Sequence, residues 1–153
     1  MPNKLPAELT TRHSRSREAL GFADIMALLK FHTRIHAIHT DDLCIPTRSQ
    51  PYGIDFEALL KRFAALPRMF IEPAGSFVWT GSTEGMTWQL DGQTSDCDGH
   101  VICVELQGRC PPIVLDKLLE QLDWPRQRLG FEDVPSGQLL SEIQFREGAI
   151  VDL

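Results

Sequence analysis

The chain has 153 residues, 42% of them hydrophobic and 24% charged, with a formal net charge of −6. That length suits one core that buries roughly 70% of the surface the unfolded chain exposes, and the composition is that of a globular protein, not a disordered or fibrous one. The acidic balance argues against a surface that tracks nucleic-acid phosphates, because such binding needs an excess of Lys and Arg.

Residues 1–17 read as a flexible, solvated N-terminal arm in which Arg12, Arg15 and Arg17 cluster, and residues 18–153 as a single domain. The opening "MPNKLPAELTTR" lacks the apolar centre of a secretory signal, and no 18-residue apolar run follows. The expectation is a cytoplasmic chain with no membrane contact. Cys44, Cys97, Cys103 and Cys110 are sparse and form no C-x-x-C pair, so four free thiols are expected.

From Glu18 to about Thr40 there is no proline, and Ile25, Leu28, Leu29, Ile35 and Ile38 recur at spacings of three, four and seven, which predicts a first helix. Residues 45–53, "IPTRSQPYG", are loop chemistry. Asp55 then stands where a cap is wanted for a second helix whose stripe is Phe56, Leu59, Leu60, Phe63 and Leu66, stopped by Pro67. The period next becomes twofold. "MFIEPAGSFVWTG" reads as two strands around Pro73-Ala74-Gly75, and "MTWQLD" as a strand with Met86, Trp88 and Leu90 on one side. The turn "DCDG", residues 96–99, leads to "HVICVELQG", in which Ile102, Val104 and Leu106 alternate with Val101, Cys103 and Glu105. Pro111 and Pro112 suit the start of a third helix with Leu115, Leu118, Leu119 and Leu122 on its inner side. "RLGFEDV" reads as a last strand, and residues 136–147 lean towards helix through Leu139, Leu140 and Ile143.

The chemically sharpest stretch is "KFHTRIHAIHTDDLC". At 100° per residue on a helix, His32, His36 and His39 continue the stripe of Ile25, Leu28 and Leu29, so their rings are expected to face the interior. The leading expectation is three neutral, hydrogen-bonded rings that complete a buried stripe, with a pH-responsive or pocket role as a further option. The other reading is a metal site. His32 and His36 have the i, i+4 spacing by which one helix offers two nitrogens to a transition metal such as zinc, with Cys44 or His39 as third ligand. Thr33, Arg34 and Ile35 lie between them, so the glutamate base of H-E-x-x-H is missing. His39 would sit about 10.5 Å along the axis from His32, which strains any three-histidine site.

Residues 94–105 match an EF-hand loop in part, but their flanks read as strands, so a hairpin turn explains Asp96, Asp98 and Gly99 better. No G-x-S-x-G, G-x-x-x-x-G-K or G-x-G-x-x-G occurs. Cys110, just ahead of Pro111, is the thiol a helix N-terminus would most readily activate, although a buried structural role is favoured. Glu105 or Asp116 assist chemistry only if folding unites them. The side of the sheet carrying Val101, Cys103, Glu105, Thr87 and Gln89 is mixed in character, and cover by the C-terminal third is expected.

Together these readings predict an α+β domain with helices packed mainly on one face of an antiparallel meander of four to five strands. No cofactor is expected. The functional expectation is a small binding or interaction domain without catalytic chemistry, working through the mixed sheet face or the groove of the first helix with a protein partner or a second copy of itself. The alternative is a metal-dependent enzyme using His32 and His36.

Overall fold

In the computed structural model, which describes residues 27–39 and 51–151, a strand stands where the period predicts the first helix: β1 spans Leu28–Ala37. Residues 18–26 and Thr40 of the predicted helix lie outside the described residues, as do the predicted N-terminal arm and Cys44. The stripe Leu28, Leu29, Ile35 and Ile38 mixes residues from both sides of this strand. The operative period is two. Leu29, Thr33, Ile35 and Ala37 are buried on one side with Phe31 half-buried between them, while Lys30, His32, Arg34 and His36 point the other way. Helical propensity is a weak prior, and here tertiary pairing overrides it because β1 is bonded along both edges.

The remaining elements follow as α1 (Phe56–Ala64), β2 (Met69–Ile71), β3 (Ser76–Thr83), β4 (Met86–Cys97), β5 (His100–Cys110), α2 (Pro112–Glu120), β6 (Leu129–Asp133), β7 (Leu139–Leu140), α3 (Glu142–Ala149) and β8 (Ile150–Val151). The fold is α+β, with an antiparallel sheet of eight strands among the described residues, in the order β2-β3-β4-β5-β1-β6-β7, and β8 paired to β1. The expected four to five strands are too few. The missed ones are β1 itself, read as helix, and the two-residue strands β7 and β8, too short for any period to show.

The second helix forms where Phe56, Leu59, Leu60 and Phe63 predict it. Asp55 occupies its N-cap but makes no side-chain cap hydrogen bond. In β5 the predicted alternation fails at its start. The β4–β5 register shifts after Ser95↔Cys103 to Asp96↔Val101, leaving Ile102 as the extra residue of a bulge, so Val101 and Val104 are both fully buried. The D-x-D-G turn is a two-residue hairpin with positive φ at Asp98 (51°) and Gly99 (83°), and Gly99 N donates to Asp96 Oδ2 at 3.0 Å. Residues 136–147 divide: Leu139 and Leu140 extend the sheet, and the helix begins after Ser141, whose hydroxyl and Gln144 make a reciprocal capping box.

One core joins the elements. Leu59 and Phe63 of α1, Leu115 and Leu118 of α2, and Phe145 of α3 belong to the same buried cluster as Leu29, Ile35, Leu90, Leu106 and Phe131 of the sheet. Each fully buried Leu, Ile or Phe side chain contributes about 1.5–3 kcal/mol relative to exposure, so this cluster supplies most of the driving force. The C-terminal third lengthens the sheet beyond β1 and sends Leu115, Leu118 and Phe145 into this core, and Thr87 and Gln89 of the mixed side are exposed. No helix among the described residues is long and apolar enough to cross a membrane.

Candidate functional site

The side chains opposite the core fall into rows set by the strand register. One row crosses β1, β5, β4 and β3 as Lys30, Arg109, Gln89 and Thr80. The next runs His32, Gln107, Asp91, Val78 and, on β2, Phe70. A third begins on β6 with Glu132 and continues through Arg34, Glu105, Gln93 and Ser76. The sequence leaves Val78 and Thr80 or Phe77 and Trp79 open as members of this side; the register assigns Val78 and Thr80, and buries Phe77 and Trp79 in the core.

The third row is an ion-pair network. Arg34 Nε donates to Glu105 Oε1 at 2.8 Å, and its Nη1 lies 3.5 Å from Glu132 Oε2. His32 Nε2 lies 3.3 Å from Glu105 Oε2, and His36 Nε2 2.9 Å from Glu132 Oε1. A carboxylate only accepts, so each facing imidazole nitrogen carries its proton and donates. His36 is the buried member, its side chain 6% exposed, and its Nδ1 has no hydrogen-bond partner.

The histidines predicted to share one inner face are therefore parted. His32 and His36 lie four residues apart on a strand, about 13 Å along its axis, and each meets a different glutamate. The i, i+4 spacing argument for one zinc ion needs a helix and does not apply to this strand. His39 is exposed, with Nε2 2.7 Å from the Pro51 carbonyl oxygen. Among the described residues no group of three His, Cys, Asp or Glu side chains is placed to hold a metal ion.

Glu105 and Asp116 are not united: Glu105 holds Arg34, and Asp116 accepts from Arg146 Nη2 at 2.6 Å. Nor is Cys110 an activated thiol. It is buried, and that burial pushes its pKa up to about 12 despite its place before α2. Cys103 is pushed up to about 12 as well, by burial first, with Arg34 opposing. Cys97 is exposed. Iodoacetamide at about pH 8 is accordingly expected to alkylate Cys97 quickly in the folded protein and Cys110 only after denaturation, as read by peptide mass spectrometry. Equal rates at both would contradict the burial described.

The hydrogen bond from Arg34 holds the Glu105 carboxyl below the usual glutamate range, with burial opposing and His32 assisting. A carboxyl with a depressed folded-state pKa adds stability that is present above its unfolded value of about 4.3 and is lost as pH falls through the folded value. The urea midpoint of the wild type is thus expected to drop between about pH 6 and 3 by more than that of Glu105→Gln. Parallel acid limbs would show that the pair contributes nothing.

The first row differs from the third in having no anions of its own. A trough of about 910 Å³ opens there, lined by Arg68, Arg109, Thr80, Gln89, Asp91 and Trp88. A second hollow of about 390 Å³, lined by Lys30, His32, Gln107 and Asp133, adjoins it at Gly108 and Arg109. The Trp88 ring stands over Gly81, where a Cβ would collide with it, and Trp88 Nε1 donates to Thr83 Oγ1 at 3.2 Å. Sequence reasoning passed over Lys30, Arg68 and Arg109. The alternation Lys30, His32, Arg34, His36 is the signal that marks one wet strand face. No family, curated protein or solved structure matches the chain.

Proposed function

We propose that this chain is a non-catalytic binding domain that takes a small ligand on the polar side of its sheet, in the trough between β3, β4 and β5. The observation that carries this is the trough itself, whose volume of about 910 Å³ lies within the usual range of ligand sites, roughly 300–1,000 Å³. Leu59 and Phe63, Leu115 and Leu118, and Phe145 tie all three helices to the core on the opposite side, which supports a polar face left uncovered by them. The two sheltered thiols and the carboxylates engaged by Arg34 and Arg146 supply no activated nucleophile or free acid–base pair. Three unpaired cysteines, Cys97, Cys103 and Cys110, fit a reducing cytoplasmic setting.

The test is a thermal-shift screen of organic acids, phosphate esters, sugars and amines against the wild type and against Thr80→Trp, which fills the trough. The expected result is that at least one class raises the midpoint of the wild type and not of the filled variant. Hits that survive the filling, or no hit at all, would overturn the proposal.

A second reading, self-association through the edge strand β2, is favoured by Phe70, which is 69% exposed on that edge. Light scattering of the wild type and Phe70→Lys decides it: a dimer that the substitution dissociates supports the reading, and a wild-type monomer ends it.

A further inference from the structure

We infer that the trough and the hollow adjoining it at Arg109 form one anion site, in which Arg68 and Arg109 on the trough and Lys30 on the hollow hold the carboxylates or phosphates of a small polyvalent anion and Gln89 adds an uncharged donor. The inference rests on the binding reading above and supplies its ligand class. It begins with a register: Lys30 on β1 is the direct cross-strand neighbour of Arg109 on β5. Like charges placed directly opposite destabilise a sheet, and such a pair is ordinarily relieved by an acid beside it. No such acid is engaged here. Ion pairs among the described residues engage His32, Arg34, His36, Arg62, His100 and Arg146 among others, and none involves Lys30, Arg68 or Arg109.

The two acids that line the hollows, Asp91 and Asp133, pair with none of the three cations. Asp91 accepts from Gln89 Nε2 at 3.1 Å, and Asp133 accepts from the backbone N and hydroxyl of Ser136. The contrast with the row four residues further along β1 is direct, since there Arg34 sits between Glu105 and Glu132. A chain of net charge −6 thus keeps three uncompensated cations around one trough and its neighbouring hollow, joined at Arg109. Arg68 and Arg109 on the trough of about 910 Å³, with Lys30 on the hollow that adjoins it at Arg109, suit an anion with more than one charged group, and a chain with that overall charge repels an extended polyanion beyond the trough.

The test is isothermal titration of the full chain with pyrophosphate, with tricarballylate, and with spermidine as the cationic control, at low and moderate salt. At least one of the two anions is expected to bind, at least tenfold more weakly at moderate salt, and at least tenfold more weakly to Arg109→Gln and to Lys30→Gln; spermidine is expected not to bind. Response to pyrophosphate alone assigns phosphates, to tricarballylate alone carboxylates, and to both the shared chemistry; each supports the inference. Circular dichroism and thermal midpoints keep the variants interpretable, since relieving like charges should leave the midpoint equal or higher. Unchanged affinity in both folded variants overturns the inference, as does tighter binding of a long oligothymidylate than of either small anion. If neither anion binds but a neutral compound from the screen does, blocked by Thr80→Trp, the anion inference fails and the binding face stands. If nothing binds the trough, both fail.

Discussion

Phe131→Ala is expected to lower the stability of this domain by about 4 kcal/mol and its thermal midpoint by about 10 °C. The Phe131 ring is fully buried, stacked on Phe145 at 4.4 Å between centroids, and Phe145 in turn meets Phe31 edge-on at 5.2 Å. Removing it leaves a cavity where β6, β1 and α3 meet, bounded by strands that cannot collapse inwards without breaking their ladders. With total stabilities of roughly 5–15 kcal/mol for a domain, that loss is a large fraction of the whole. Phe70→Ala is the control. That ring is 69% exposed, and the substitution should change stability by no more than about 0.5 kcal/mol. Urea unfolding of the two variants checks the pair, and similar midpoints would contradict the core described.

The second large effect concerns the buried end of the ion-pair row. Glu132→Ala is expected to cost about 2–3 kcal/mol, because it strips His36 Nε2 of its acceptor in a ring whose Nδ1 is already without a partner. Arg34 also loses one of its two carboxylates. The double substitution Glu132→Ala with His36→Leu should recover much of the loss, since an apolar side chain leaves no polar atom unsatisfied. A double-mutant cycle in urea measures this directly. Additive costs would mean that His36 does not depend on Glu132.

What could be read from residues alone follows from how local each signal is. Phe56, Leu59, Leu60 and Phe63 announce α1 because one stripe of one helix buries them all. The hairpins at Gly75 and Asp98-Gly99 are equally legible, since a turn is a four-residue affair. β1 was not legible as helix or strand by counting apolar residues: Leu28, Leu29, Ile35 and Ile38 satisfy a helical period by chance, while Thr33 interrupts the inner row of the strand. Thr33 is tolerated there because its hydroxyl donates to the Glu132 carbonyl at 2.9 Å. In residues 136–147 the informative pair was Ser141 and Gln144, not the apolar Ile143, which is 69% exposed. The candidate site was the least legible part. Lys30 becomes informative only beside Arg109, and no spacing rule links residues on β1 and β5.

The central place of β1 also shapes how the molecule comes into being. Arg34 and Glu105 are 71 residues apart, and Thr33 and Glu132 are 99 apart. During translation, β1 leaves the ribosome long before either lateral neighbour exists. High contact order of this kind gives folding times of roughly milliseconds to seconds. Until synthesis passes β6, the nascent segment presents Leu29, Phe31 and Ile35 with unpaired amides, a natural client for a holdase chaperone.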